Sequence, residues 1–376
     1  MPVEIVPLRL PEPWQHVFCS IAIDPLRRDD PIMEALANGS FVFPAHYELA
    51  FHLLRPGSRV IDAGAHIGTF SLAAAALGCE VIAIEAAPEN VTLLQTSTQH
   101  NHFDIHIVAA AASDRVGTLS FSPLGPYGFV APNANVPNTV EVPAITVDAV
   151  VDNIPWTRVD LVKMDIEGSE LMALRGMQRL LSTRDAPALI YESNGHTLWQ
   201  FFRESPRNLK SYLKQIGYQN YRIESHQLIP VEDNDIQPEV VVDYFATRML
   251  PTLPSGWQIS PRMSTEEIIA RVLATCNHPQ PIFRQYIART LAEHPDLVSS
   301  PQIATALETL RSDADSGVRA AVDWYISLTS MATPRDGETA ASLASSKTGE
   351  ARMERRGRNL RRLISLLFRG SDNEGG

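Results

Sequence analysis

Short apolar runs rich in β-branched residues alternate with longer segments of helical spacing between residues 58 and 250. This alternation is typical of a parallel sheet whose strands are connected by crossover helices. The pattern predicts strands near 59–63, 80–85, 105–110, 159–165, 187–192, 218–224 and 239–247. It predicts helices near 67–77, 89–101, 146–152, 169–181 and 204–216. A stretch rich in Pro, Gly and Asn over 122–138 predicts a loop above the carboxyl edge of this sheet.

The flanking sequence differs in pattern from this central part. Before it, a helix is expected to end at Pro56-Gly57. After a boundary at 250–256, helical periodicity with little strand character continues to about residue 330, and two of its segments are similar to HEAT-type repeats. The patterns therefore predict a lead-in region over 1–57 and an α/β domain over 58–250. They predict an appended all-helical, HEAT-like domain over 262–330, and a flexible linker with a basic amphipathic tail over 331–376.

Composition narrows the classes of protein that fit this organisation. Of 376 residues, 44% are hydrophobic and 20% are charged, which is typical of a packed globular chain. The cysteines, Cys19, Cys79 and Cys276, form no CxxC pair and indicate reduced thiols. The N-terminus shows no basic segment followed by an apolar run, and no apolar run of about 18 residues occurs anywhere in the sequence. We therefore expect a cytoplasmic protein without a membrane span.

Charge is unevenly distributed along the chain. The net charge of −11 disfavours a nucleic-acid partner, because phosphate neutralisation needs clustered Lys and Arg. The segment 351–370 nevertheless contains seven Arg and one Glu, with leucines on one helical face. It predicts peripheral contact with an anionic membrane or a protein partner, and a solvated C-terminus is an equally good interpretation.

A glycine-containing turn follows the first predicted strand of the domain. Asp62, Gly64 and Gly68 form the pattern D-x-G-x-x-x-G at the start of a helix. Glycines would let a ligand approach main-chain N–H groups, and Asp62 would accept a hydrogen bond from a cationic α-amino group. The dinucleotide pattern G-x-G-x-x-G is absent because His66 lies two positions after Gly64. A tight turn without a ligand is the alternative.

Two acidic residues follow the next strands. Glu85 ends the second strand, where a carboxylate can accept both hydroxyls of a ribose. Asp114 follows the third strand and could receive an adenine amino group, although an Asx-turn before Gly117 explains it nearly as well. The turn and Glu85 together predict a nucleoside ligand.

A second motif places ionisable residues at the end of the fourth strand and in the loop that follows it. Lys163, Asp165 and Glu167 occupy alternate positions and should share one face. Such groups are costly to bury without partners, so they either surround a ligand or satisfy one another, with Glu170 capping the next helix.

The strings VIDAGAHIGTFSLAAA, VKMDIEGSELMALRG and YELAFHLLRPGSRV resemble the FkbM family of methyltransferases over residues 40–247. The resemblance implies a doubly wound, seven-stranded Rossmann-like methyltransferase sheet and methyl transfer from S-adenosylmethionine, usually to a hydroxyl of a sugar or polyketide-like product. It implies cofactor roles for Asp62, Gly64, Gly68 and Glu85, and it sets Asp165 and Glu167 beside the methyl group. The family commonly has Asn where this chain has His66, which either contacts the methionine carboxylate or is a solvated loop residue.

Methyl transfer to an alcohol needs a group that takes its proton. Candidates are Asp165, Glu167, Glu192 at the end of the fifth strand, and His196; we favour Glu192 or His196. A complete set of metal ligands is not recognisable, so we predict no metal. The predicted function is O-methylation of a small-molecule or glycan hydroxyl. The alternative is a non-catalytic methyltransferase-like scaffold in glycan assembly.

Overall fold

The computed structural model describes residues 2–27, 29–131, 136 and 138–331. It separates into two compact units. The first runs to Asp233 and resumes over Val242–Arg262, and the second comprises Asn234–Val241 and the described residues from Met263 onward. The predicted linker and basic tail, from residue 332 on, lie outside the described residues.

Strands and helices alternate through most of the first unit. In chain order the strands are β1 (Glu4–Arg9), β2 (Phe18–Ile23), β3 (Arg59–Ala63), β4 (Glu80–Glu85), β5 (Ile105–Ala109), β6 (Ala111–Ala112), β7 (Gly117–Ser122), β8 (Phe129–Val130), β9 (Val140–Ile145), β10 (Leu161–Met164), β11 (Ala188–Asn194), β12 (Gln219–Glu224), β13 (Gln227–Val231), β14 (Val241–Thr247) and β15 (Gln258–Ile259). The helices are α1 (Pro31–Ala37), α2 (Ala45–Leu53), α3 (Thr69–Ala76), α4 (Pro88–Asn101), α5 (Val147–Asp152), α6 (Glu170–Gly176), α7 (Gln178–Ser182), α8 (Gly195–Thr197), α9 (Pro206–Gln215), α10 (Thr265–Cys276), α11 (Pro281–Thr290), α12 (Pro295–Val298), α13 (Pro301–Arg311) and α14 (Ser316–Met331).

The main sheet has the strand order β15-β13-β12-β14-β11-β10-β3-β4-β5. Strands β5, β4, β3, β10 and β11 pair in parallel, whereas β12 runs antiparallel to β13 and β14. The expected α/β, Rossmann-like sheet is therefore confirmed, and it is a mixed sheet.

The expected strand number was wrong: this sheet has nine strands over the described residues, where seven were predicted. The additional strands are β13, which forms a hairpin with β12, and β15, which pairs with β13. The turn into β13 has Ser225 at φ +50° in place of the usual Gly or Asn, and Pro230 lies within the strand. Both features are atypical of a hairpin, which is why the sequence pattern did not predict one.

The parallel strands are covered on both faces. Val60 of β3 belongs to one apolar cluster with residues of α2, α3 and α4. The next residue, Ile61, belongs to another cluster with residues of α5, α6, α7 and α9. Because successive side chains of a strand point to opposite faces, the two clusters lie on either side of the sheet, as in a doubly wound fold.

The N-terminal region contains more structure than the predicted lead-in helix. Strands β1 and β2 form an antiparallel hairpin before α1 and α2. The amide of Ser20 donates to Asn101 Oδ1 and the amide of Ala22 donates to Ser97 Oγ, both at 2.8 Å. Polar side chains of α4 therefore satisfy the free edge of β2, a long-range pairing that a local pattern does not reveal.

A second sheet contains the short strands that flank the predicted loop, in the order β6-β9-β7-β8. Strands β7 and β9 pair with each other and do not extend the main sheet. Residues 132–135 and 137 of the loop lie outside the described residues.

The second unit is built mainly from helices α10 to α14. Their apolar faces share one cluster, which includes Val272, Ile287, Ile303 and Val318. The HEAT-like interpretation of this unit stays a prediction. Within the described residues of the chain, no helix combines the length and apolar character needed to cross a bilayer.

Candidate active site

A cleft with an empty volume of about 720 Å³, part of it open to solvent, lies where β3, β4 and β10 end. The carboxyl edge of a parallel sheet is the usual ligand site in such folds. Among the predicted residues, Gly64, His66, Glu85, Asp165 and Glu167 line this cleft. The sheet therefore brings together groups that are up to about a hundred residues apart in sequence.

Gly64 is required by close packing of the main chain. Its φ is +79°, and a Cβ atom there would lie 1.8 Å from the carbonyl oxygen of Asp165. The amides of Gly64 and Ala65 donate to Ile84 O at 2.9 and 3.1 Å, so the structure directs these N–H groups to β4. These two amides fasten β3 to β4, and the expectation that a ligand approaches main-chain N–H groups stays a prediction for the rest of the loop.

Glu85 occupies the expected position at the end of β4. Its Oε2 accepts the His66 amide at 2.8 Å, and its Oε1 accepts the Ala87 amide at 2.8 Å and Asn90 Nδ2 at 3.3 Å. A carboxylate has about four acceptor positions, so capacity for a ligand hydroxyl remains on Oε2. Three protein donors hold this carboxylate in one orientation within the cleft.

Lys163 compensates the carboxylates behind the loop. Its Nζ lies 3.3 Å from Asp62 Oδ1 and 3.7 Å from Asp165 Oδ2, and it donates to Gly64 O at 3.0 Å. Burial would lower the pKa of Lys163, but Tyr47, Asp62 and Asp165 outweigh burial and raise it. The ammonium is therefore retained at neutral pH, and this part of the motif is satisfied by the protein itself.

Three carboxyl groups meet where β10 and β11 end. Ligand atoms of Asp165, Glu167 and Glu192 lie within 4.8 Å of one another, which is close enough to share a cation. Glu167 has a left-handed φ of +52°, and its Oε2 accepts Asn194 Nδ2 at 3.3 Å. Burial, followed by the charges of Asp165 and Glu170, raises the pKa of Glu167 well above its ordinary value. The expectation of no metal at this cluster stays a prediction.

The region that contains the cleft resembles a known family of domains. Residues 62–220 match the model described as the methyltransferase FkbM domain. The chain contains an FkbM methyltransferase domain. The match includes the glycine turn, Glu85, the Lys163 motif and Glu192. No curated protein matches the chain.

Solved structures similar to this chain include methyltransferases of low identity. The methyltransferase domain of METTL16 is 13% identical with a TM-score of 0.32, over 54% of this chain and 63% of that one. Precorrin-6y C5,15-methyltransferase from Geobacter metallireducens is 13% identical with a TM-score of 0.30, over 53% and 83%. The tRNA (uracil-54, C5)-methyltransferase of Pyrococcus abyssi, in complex with S-adenosyl-L-homocysteine, is 13% identical with a TM-score of 0.30, over 57% and 38%. The chain thus spans less than two thirds of the first and third of these.

Several predicted residues of the FkbM domain do not line the cleft. Asp62 is fully buried behind the loop, where it accepts Ser71 Oγ at 2.6 Å. Asp114 contacts its neighbour Arg115 at 3.7 Å, away from the cleft. Glu192 and His196 also lie outside the lining, although Glu192 reaches Asp165 and Glu167. Gly68 begins α3 at φ +99°, and a Cβ there would meet Leu94 at 2.4 Å, so it serves packing.

Residues outside the FkbM match complete the cleft. Ile32 of α1 and Tyr47 of α2 line it, and the Tyr47 ring lies 5.8 Å from Lys163 Nζ. Burial raises the pKa of Tyr47 to about 12, so its hydroxyl keeps its proton. Sequence reasoning missed both, because an aromatic or aliphatic residue in an apolar helix predicts only core packing. Asn90, in the first turn of α4, was missed for lack of any distinguishing signal.

Proposed function

We propose that the chain is an S-adenosylmethionine-dependent methyltransferase that methylates a hydroxyl group of a sugar, a glycan or a related natural product. The observation that carries this proposal is the placement of Glu85 at one part of the cleft and of Asp165 and Glu167 at another, inside an FkbM domain. One part offers acceptors to ribose, and the other offers a carboxylate to a reacting hydroxyl.

The residues of the cleft fit this cofactor chemically. The oriented carboxylate of Glu85 retains acceptor capacity, and Asp165 offers a half-exposed carboxylate to a cationic group. When bound, S-adenosylmethionine supplies an activated methyl group on a sulfonium. The contribution of the protein is to hold the acceptor oxygen in line and close to that carbon.

We propose Glu167 as the group that takes the proton from the acceptor hydroxyl. It lines the cleft, whereas Glu192 and His196, which the sequence favoured, do not. A base works best when its pKa lies near the working pH, and burial raises the pKa of Glu167 in that direction. Glu192 lies within reach of Glu167 and Asp165, and burial together with their charges raises the pKa of Glu192 as well.

Calorimetry with S-adenosylmethionine tests the cofactor assignment. We expect Glu85→Gln to weaken binding by about 10- to 100-fold, because hydrogen bonds from ribose hydroxyls to a charged acceptor are lost. Glu89→Gln, which changes an exposed carboxylate in the first turn of the following helix α4, is the matched control and should bind like the wild type. If folded wild-type protein does not bind the cofactor at millimolar concentration, the chain is a scaffold and not an enzyme.

Methyl transfer by Glu167→Gln tests the base. We expect the rate constant to fall by about 100-fold or more, while cofactor affinity stays within a few-fold. The wild-type rate should rise with pH above the ordinary carboxyl range as Glu167 loses its proton, and the variant should lose this rise. A radiolabelled assay over a panel of sugars measures both, with exposed Glu141→Gln as control. An unchanged pH profile in the variant would assign the base elsewhere.

A further inference from the structure

One side of the cleft is bounded by a closed ring of hydrogen bonds. The His66 amide donates to Glu85 Oε2, and the His66 ring contacts Asp30 through Nε2 at 3.1 Å. Arg27 donates to Asp30 Oδ2 at 3.4 Å and to Asn90 Oδ1 at 2.9 Å. Asn90 Nδ2 in turn donates to Glu85 Oε1 at 3.3 Å, which closes the ring. The His66 ring is therefore fixed on the same side of the cleft as the Glu85 carboxylate.

Asp30 determines which nitrogen of His66 carries the proton. It is 1% exposed, and its Oδ1 accepts the amides of Ile32 and Met33 at 3.0 and 3.1 Å as the cap of α1. Burial would raise the pKa of Asp30, but contacts with His66, Met33 and Arg27 outweigh burial and lower it. An ionised carboxylate only accepts hydrogen bonds, so Nε2 carries the proton.

Nδ1 of His66 is a buried acceptor at the edge of the cleft. Over the described part of the chain, no group forms a hydrogen bond with this atom. A buried polar atom without a partner is destabilising unless a ligand satisfies it. His66 also holds a left-handed φ of +52°, a conformation that histidine adopts more readily than most non-glycine residues.

We propose that His66 Nδ1 accepts a hydrogen bond from a ribose hydroxyl of the nucleoside cofactor, with Asp30 as a positioning residue. This inference rests on the proposed function and extends the site to Asp30, which precedes the FkbM match. A hydroxyl suits the position because it can donate to an imidazole nitrogen that carries no proton, whereas the carboxylate of a methionyl group has no proton to donate. Glu85 and His66 then divide the two ribose hydroxyls between them.

The test measures how much each ribose hydroxyl contributes to binding. S-adenosylhomocysteine and its 2′-deoxy and 3′-deoxy forms are titrated calorimetrically into the wild type, His66→Gly and His66→Asn. Glycine keeps the left-handed backbone and removes the ring, and asparagine tolerates this φ and keeps an acceptor at the position of Nδ1. Removing one of the two hydroxyls should weaken binding to both proteins. We expect the factor of weakening to be about five times larger for the wild type than for His66→Gly. The His66→Asn variant should restore most of this difference.

Each other outcome contradicts a defined part of the proposal. If removal of a hydroxyl lowers the affinity by the same factor in the wild type and in His66→Gly, His66 does not contact ribose. If His66→Gly weakens S-adenosylhomocysteine but not 5′-methylthioadenosine, the ring contacts the amino-acid part, and the ribose assignment is overturned. If the wild type binds none of these ligands, the proposed function fails first.

Asp30→Asn tests the positioning role separately. Asparagine can still cap α1 through its side-chain oxygen, so the helix should be kept. We expect the hydroxyl-dependent difference to fall between the wild-type and His66→Gly values, because the ring loses the charged acceptor that orients it. If Asp30→Asn loses as much affinity on removal of the hydroxyl as the wild type does, Asp30 does not position His66.

Discussion

We expect the substitution Gly64→Ala to abolish cofactor binding and to lower the free energy of unfolding by about 3 kcal/mol or more. A Cβ at this position would lie 1.8 Å from Asp165 O and 3.0 Å from the Ile166 side chain. The first contact is with main chain, which cannot move aside as a side chain can. The turn after β3 and the end of β10 must then separate, and both carry residues of the cleft.

Gly57→Ala is a close control for this prediction. Gly57 has φ +81°, nearly the value of +79° at Gly64, but no heavy atom lies within 4 Å of the position that a Cβ would take there. This variant should show only the left-handed penalty for alanine, about 1 kcal/mol, with cofactor binding intact. Urea unfolding and calorimetry separate the two cases. Equal losses in both variants would mean that backbone conformation alone, and not the contact with Asp165, makes Gly64 necessary.

The parallel strands could be predicted because each is a short apolar run with a distinct period. Strand β3 is apolar on both faces, and the structure buries Val60 and Ile61 in two different clusters. Hairpin partners that depend on less typical residues were not predictable in this way. Strand β13 begins after a turn at Ser225 and contains Pro230, and only pairing with β12 makes it a strand.

The candidate site was predictable where a residue directly follows a strand. Glu85, Asp165 and Glu167 line the cleft because the ends of parallel strands converge there. Asp62 belongs to the same pattern, yet its side chain is directed behind the loop toward Lys163, which no spacing in the sequence reveals. Ile32 and Tyr47 reach the cleft from α1 and α2, so only tertiary packing brings them to it.

The buried pair of Lys163 and Asp62 leads to the second large effect. We expect Lys163→Met to lower the free energy of unfolding by about 3–5 kcal/mol, because it leaves the Asp62 carboxylate buried with Ser71 as its remaining close donor. The side chains of Lys163 and Asp62 are 4% and 0% exposed, so water cannot replace the lost ammonium. Urea denaturation at neutral pH measures the loss. Lys214→Met, at a solvated lysine paired with Glu232 and Asp233, should change stability little.

The double variant Lys163→Met with Asp62→Asn distinguishes a lost charge partner from lost packing. A neutral amide needs no counter-charge, so we expect the double variant to recover about 2 kcal/mol relative to Lys163→Met alone. The raised pKa of Lys163 gives a second signature: its contribution to stability is present below the ordinary lysine pKa and is lost only as pH rises through the higher value of the folded state. No recovery in the double variant would mean that packing of the lysine stem, and not the ion pair, holds this part of the sheet together.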